Sequence, residues 1–390
     1  MKKRVAALLA ALVLALALVP AAWAEDEAQA SRFEQPGFDV PCRAAMLVDQ
    51  ATGTVLYEKQ PDTQVPIASI TKVMTLLLTF EALEAGKVTK EDIVPISEHA
   101  YNMGGSQIWL EPGETFTLHE LLKAICVSSA NDAAVAVAEY IGGSEPVFVE
   151  MMNAKAAELG LTNTHFNNAC GLDSAGHLST ARDVAVLSRE MLNNHPQVTE
   201  YTTIWMDTLR GGQTQLLNTN KLLKRYAGIN GLKTGTTSGA GVCITASATR
   251  DGLSLIAVVL GSPSSAERFD AATTLLDYGF ANFENAVPPM PQGAPASLPV
   301  SRGAQGQVEL QYDIPASLLL KKGEGAALTA SLELPDGLEA PIQAGQQVGT
   351  ITLAAGEVQL GQYPVTARTE VPRMTMGLAL GKLAGGLLAM

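Results

Sequence analysis

Two short apolar-rich runs, residues 44–49 and 54–58, flank a polar turn containing Thr52-Gly53 and predict a hairpin. The pattern then takes a helical period. Val73, Leu76, Leu77, Phe80 and Leu83 recur at spacings of three and four, which predicts a helix over 69–85 with Gly86 closing it. Residues 118–141, carrying Leu121, Leu122, Ile125, Ala133, Ala134 and Val137, give a second apolar helical stretch, and 145–159 and 180–193 give two more helices. From Gly231 the period falls to two. Residues 232–236, 242–249 and 253–260 predict strands separated by Ser238-Gly239-Ala240-Gly241 and Arg250-Asp251-Gly252, an antiparallel meander. Residues 265–280 return to a helix. Strands at both ends with helices between them predict an α+β unit, in which an antiparallel sheet carries helices on its faces.

Pro288, Pro289, Pro291, Pro295 and Pro299 then mark a boundary or an extended lead-in. Beyond it, short alternating segments at 308–312, 327–334, 347–353 and 357–366 predict a small all-β domain. Both ends of the chain carry apolar signals. Lys2, Lys3 and Arg4 precede an unbroken apolar run over 5–19, then Pro20 and Ala22-Trp23-Ala24, the layout of a cleaved secretory signal peptide. Near the other end, residues 374–390 hold a single charge, Lys382, and Gly377, Gly381 and Gly385 recur every four residues. As a helix this tail reaches about 25 Å, short of a ~30 Å hydrocarbon core, so it fits a membrane surface better than a span. The expected organisation is residues 1–24 as signal peptide, 25–286 as a catalytic domain, 287–370 as the β domain and 371–390 as a membrane-associating tail.

Composition narrows the function. Hydrophobic residues make up 47% and charged residues 17%, enough for a sizeable core, and the net charge of −13 disfavours a nucleic-acid partner. None of Cys42, Cys126, Cys170 and Cys243 forms a C-x-x-C pair, so buried free thiols are expected rather than a zinc site.

Three short motifs carry the chemistry. Ser69 and Lys72 open the first strong helix three residues apart, so hydroxyl and amine share a face; a desolvated amine can take the hydroxyl proton. Ser129-Ala130-Asn131 interrupts the second apolar stretch with polar residues, a pattern that also serves as a helix cap. Lys233-Thr234-Gly235 lies on the first strand of the meander, where a cation beside bared backbone suits a ligand carboxylate along the strand. Any one of these motifs is weak, S-x-x-K occurring by chance about once in a chain of this length. His165 and His177 have no ligand partner at metal spacing and are expected to make structural hydrogen bonds. Asp183 is expected to cap its helix or pair with Arg182, and Asp173 to sit in a turn.

In order and spacing together, the motifs resemble those of the low-molecular-mass penicillin-binding proteins that are serine-type D-alanyl-D-alanine carboxypeptidases. The resemblance spans most of the chain. It includes Pro66-Ile67-Ala68 ahead of Ser69, Ser128-Ser129-Ala130-Asn131-Asp132, Gly160-Leu161-Thr162-Asn163-Thr164-His165-Phe166, Gly171-Leu172 and His177-Leu178-Ser179-Thr180-Ala181-Arg182-Asp183. It implies a penicillin-binding/β-lactamase-like transpeptidase fold and removal of the terminal D-alanine from peptidoglycan stem pentapeptides. It also implies covalent inhibition by β-lactams, no cofactor or metal, and action outside the cytoplasm. The implied roles are Ser69 as nucleophile, Lys72 as general base and Ser129 as proton relay. Asn131 would bind the substrate peptide, Lys233 its carboxylate with Thr234 and Gly235 beside it, and the N–H groups of Ser69 and Thr236 the oxyanion. Ala130 stands where β-lactamases usually carry aspartate, which loosens a lactamase reading. Glu190-Met191-Leu192-Asn193 mimics a lactamase deacylation element but lies about 60 residues past Ser129, in a helical pattern. The remaining alternative is a non-catalytic β-lactam sensor or scaffold.

Overall fold

The computed structural model describes residues 33–380. The expected signal peptide and residues 381–390 of the tail, with Gly381 and Gly385, lie outside the described residues. The chain forms two compact units that part between Ala281 and Asn282.

The first unit is built on β1 (Ala44–Asp49), β2 (Val55–Lys59), β3 (Ile229–Thr237), β4 (Gly241–Arg250) and β5 (Leu253–Ser262). They form one sheet in the order β2-β1-β5-β4-β3, antiparallel at every step. The N-terminal hairpin and the C-terminal meander therefore share a sheet, as expected, and β3 is an edge strand. The central strands are apolar on both faces. Met46, Val48, Ile256 and Val258 join the core formed with the helical block. Leu47 and Leu255 point the other way, against Gly279 of α5 (Ser265–Asn282).

At the centre of the helical block is α1 (Lys72–Glu84), entered through a 3-10 turn at Ala68–Thr71. The sequence suggests one apolar face. The structure instead buries α1 on nearly every side, from Lys72 through Phe80, the behaviour of an internal helix. Its two core threonines stay satisfied: Thr75 Oγ1 donates to Ala169 O at 2.6 Å and Thr79 Oγ1 to Thr75 O at 2.7 Å. The helix ends as Gly86 predicts, with reversed hydrogen bonds from Gly86 N to Leu83 O (3.0 Å) and Lys87 N to Ala82 O (2.9 Å).

Residues 118–141 depart from a single helix. A capping box between Thr117 and Glu120 starts Leu118–Lys123. The chain then loosens into a π turn at Ala124–Ser128, and Ser129 takes a left-handed conformation (φ 60°, ψ 31°). Only then does α2 (Asn131–Gly142) begin. π turns frequently mark functional positions, because one inserted residue re-aims the next side chains. α3 (Glu145–Glu158) and α4 (Ala181–Asn194) follow the predicted spans closely and carry Ser144 and Thr180 as N-caps.

The second unit is all β, as expected. Its six-stranded sheet includes Ser297–Ser301, Gln307–Tyr312, Leu328–Glu333, Gln347–Ala355 and Val358–Ala367, closed around Leu298, Val308, Ile351, Leu353 and Val365. Its ends differ from the sequence boundaries. Phe283–Ala286 pairs with Leu318–Lys321, so the unit begins before residue 287. Val371 exchanges two 2.9 Å backbone hydrogen bonds with Ile342, so the apolar tail begins later than residue 371.

Candidate active site

The 3-10 turn running directly into α1 sets Ser69 and Lys72 on one face. Lys72 Nζ lies 2.9 Å from Ser69 Oγ, 2.6 Å from Asn131 Oδ1 and 2.7 Å from the carbonyl of Cys170. Those contacts use all three ammonium hydrogens. Lys72 is fully buried, and desolvation pulls its pKa down to about 8. Loss of one proton frees a lone pair already aligned with the Ser69 hydroxyl. Ser69 itself stays half-exposed, open to a ligand.

The break before α2 delivers the second motif. The left-handed turn at Ser129 presents its hydroxyl to Lys233 Nζ at 2.7 Å. Asn131 is engaged at both ends of its amide: Oδ1 accepts from Lys72, and Nδ2 donates to Gly104 O at 2.6 Å. In this state it positions Lys72. Lys233, 1% exposed, also donates to Thr234 O at 2.9 Å. Burial, and next the charge of Lys72, hold its pKa well below the ordinary lysine value. Thr234 Oγ1 shares a 2.6 Å hydrogen bond with Thr219 Oγ1, and Thr236 is exposed. Ser69, Lys72, Ser129, Asn131 and the 233–236 run therefore meet in one cleft between the helical block and β3.

Two glycines set how tightly the walls close. A Cβ on Gly235 would stand 2.9 Å from both Ile67 O and Ser69 N, so only glycine lets β3 approach the turn bearing Ser69. Gly171 (φ +87°) passes against the carbonyl of Ala68, which itself has φ +49°. Asn168 Oδ1 accepts from Gly171 N at 2.6 Å and Cys170 N at 3.2 Å, fixing the segment whose carbonyl meets Lys72.

Two charged neighbours add to the site: Asp132, which the sequence shows only as part of the polar cluster at a helix start, and Arg268, which it does not single out. The Asp132 carboxylate, fully buried, accepts backbone N–H groups from Ile108, Leu110 and Ala133. Arg268 comes from α5. Its Nη1 donates to Gly235 O (3.3 Å), Cys243 O (3.2 Å) and Thr236 Oγ1 (3.5 Å), while its buried Nε has no partner among the described residues. Burial lowers its pKa to about 10. The signals were faint: an acid beside Asn131, and one basic residue on the otherwise apolar buried face of an amphipathic helix.

The remaining polar residues have structural partners. His177 Nδ1 accepts from Asn167 N at 3.0 Å, which leaves the hydrogen on Nε2 to donate to Thr71 Oγ1 at 2.8 Å. Burial drives its pKa down to about 4, so it stays neutral. Asp173 pins the β3–β4 turn, accepting from Thr237 Oγ1 at 2.6 Å and Gly239 N at 2.9 Å, and lines an open cavity of about 470 Å³ with Pro66 and Ser238. Asp183 departs from expectation. It accepts from Asn163 N and Thr164 Oγ1 (3.0 and 2.7 Å), while Arg182 pairs with Asp62 and Glu58. All four cysteines are free thiols, three buried and Cys42 half-buried.

Comparison with known proteins adds a second line of observation. Residues 29–264 match the model of a family described as D-alanyl-D-alanine carboxypeptidase, and residues 286–373 that of penicillin-binding protein 5, C-terminal domain. The chain is 40% identical to the D-alanyl-D-alanine carboxypeptidase DacF of Bacillus subtilis over 377 residues, 96% of this chain and 95% of that one. The solved structure of penicillin-binding protein 5 from Haemophilus influenzae matches at a TM-score of 0.77 and 30% identity, covering 87% of this chain and 99% of that one. Penicillin-binding protein D2 of Listeria monocytogenes, solved in its cefotaxime-bound form, matches at a TM-score of 0.58 and 32% identity, over 63% of this chain and 100% of that one.

Proposed function

Because the chain belongs to the D-alanyl-D-alanine carboxypeptidase family of low-molecular-mass penicillin-binding proteins and is a serine-type hydrolase, we propose that it works through an acyl-enzyme on Ser69. The observation that carries this is the 2.9 Å line from Lys72 Nζ to Ser69 Oγ, in a site that lowers the lysine pKa to about 8. Ser69 attacks the carbonyl of the penultimate D-alanine of a stem pentapeptide, and Lys72 takes its proton. The N–H groups of Ser69 and Thr236 receive the oxyanion, which the close approach at Gly235 supports. The proton taken by Lys72 is returned to the leaving amine through Ser129, which donates its own hydroxyl proton and regains one in turn; its hydroxyl is held by Lys233. The terminal carboxylate rests at the edge of β3. There the fields of two buried cations, Lys233 and Arg268, converge on Thr234, Gly235 and Thr236. Water then releases the shortened peptide.

A β-lactamase would need a carboxylate free to activate water at the acyl-enzyme. Asp132, which adds to the field at Lys72, is saturated by backbone N–H groups, and Glu190 accepts from Asn194 on its own helix. Penicillin therefore acylates Ser69 and leaves slowly. We place the enzyme outside the cytoplasm, exported by residues 1–24 and held at a membrane surface by its tail. Among the described residues no helix is long and apolar enough to cross a membrane, and Met376, Leu378 and Leu380 stand exposed on a helical turn, which suits surface attachment.

Free D-alanine is the direct readout. Incubation with a peptide ending in D-Ala-D-Ala releases it, and prior treatment with penicillin blocks release. Covalent labelling without D-alanine release would support the sensor reading; rapid turnover of penicillin would support the lactamase.

A further inference from the structure

The Cys170 carbonyl that receives Lys72 Nζ at 2.7 Å comes from a stretch without a ladder of its own. Residues 168–171 lie outside every helix and strand, so side chains must aim that carbonyl. Three of them do. Asn168 Oδ1 accepts from Cys170 N and Gly171 N. Thr75, about one turn along α1 from Lys72, donates to Ala169 O at 2.6 Å. Glu145 Oε1 accepts from Ala169 N at 2.9 Å. Glu145 is the unexpected member. It opens α3 and is only 8% exposed. Ser144 already caps that helix, its Oγ accepting from Val147 N, so α3 has no need of a second side-chain cap. A carboxylate is costly to bury unless its oxygens are paired. The second oxygen, Oε2, meets His99 Nε2 at 2.6 Å, and the His99 side chain is 54% exposed. Glu145 is thus strapped between a histidine at the surface and an amide beside the catalytic lysine.

We infer that Glu145 is a positioning residue for the general base: by holding the Ala169 amide it keeps the Cys170 carbonyl on the Lys72 ammonium, and so sets the aim and the basicity of that amine. This rests on the acyl-enzyme reading. With its N–H on Glu145 and its carbonyl on Thr75, Ala169 has both flanking peptide planes fixed, and the next plane carries Cys170 O. Lys72 spends its three hydrogens on Ser69 Oγ, Asn131 Oδ1 and Cys170 O. Removing one acceptor destabilises the ammonium relative to the amine and frees the amine to swing off the Ser69 hydroxyl. The other titratable groups whose charge reaches Lys72 are Asp132, Lys233 and the Cys170 thiol, which burial holds above its ordinary pKa. Glu145 itself faces His99 and Cys170.

The test is a pH series of Ser69 acylation by a fluorescent penicillin, run on the full chain and its variants. Glu145→Ala leaves the Ala169 N–H without its acceptor. It lowers the plateau rate about tenfold and moves the midpoint of the rise about one pH unit below that of the wild type. Glu145→Gln, whose amide oxygen still accepts from Ala169, restores most of both. A side chain that only stabilised the fold would lower the rate alike at every pH. Should the alanine variant fail to fold, His99→Ala carries the test: it frees one end of the same carboxylate from a site half in water, and moves the midpoint the same way by a smaller step. A labelled wild type whose midpoint stays fixed in Glu145→Ala, or in His99→Ala where that variant stands in, overturns this proposal alone. So does a Glu145→Gln profile no better than that of Glu145→Ala. A wild type that penicillin does not label overturns it together with the acyl-enzyme reading.

Discussion

Lys72→Arg slows acylation by penicillin by about 10²–10⁴-fold, the range carried by a positioned general base. The replacement keeps a cation beside Ser69 and keeps donors for Asn131 Oδ1 and Cys170 O. What it removes is the proton acceptor, since a guanidinium holds its proton well above the pH at which Lys72 gives one up. The wild-type rate climbs as pH passes through about 8, because burial holds Lys72 near that value and only its neutral form can take the Ser69 proton. The arginine variant has no such rise. A quenched-flow series from pH 6 to pH 10, with a fluorescent penicillin, reads both. An arginine variant within tenfold of wild type would remove Lys72 from the role of base.

Gly235→Ala is the second large effect. Its added methyl would sit 2.9 Å from Ser69 N and Ile67 O and 3.0 Å from Ala68 Cβ, closer than packed atoms tolerate. Backbone lies on the far side of two of these contacts, so no side chain can swing away. β3 must retreat from the turn, carrying Thr236 and its N–H with it. We expect kcat/KM for the D-Ala-D-Ala peptide to fall about 10²-fold, the scale of losing one oxyanion donor or misplacing the substrate by an ångström. Overpacking should also cost about 1–3 kcal/mol of stability. Denaturant unfolding separates the two, and a variant of lowered stability with full activity would show that the close approach serves packing alone.

The sequence made the sheet legible because its strands are long and bounded by glycine turns, and because the chain order of hairpin, helices and meander leaves few ways to close one sheet. It hid the shorter pairings. Ile93–Pro95 with Thr115–Thr117 and Met206–Leu209 with Thr214–Leu217 are too brief for a period to register. The break at Ser129 was marked only by the polar cluster Ser129-Ala130-Asn131, which also reads as a helix start; the turn there sets the serine hydroxyl against Lys233, 104 residues away. Ser69 and Lys72 were readable as neighbours from local helix geometry. Their tethering by Asn131 and the Cys170 carbonyl depends on long-range packing. The partners of Asp132, itself visible only as part of a helix-start cluster, and the whole contribution of Arg268 stayed silent for the same reason: each acts through backbone groups, which leave no mark in a pattern of side-chain types.

The account stands on one hydroxyl. Intact-mass measurement after penicillin treatment, followed by peptide mapping, tests it most directly. We predict a single penicilloyl adduct on the peptide carrying Ser69, and none on a Ser69→Ala chain that folds and melts like the wild type. An adduct on Ser129 or any other residue, or one that persists in the Ser69→Ala chain, would contradict it.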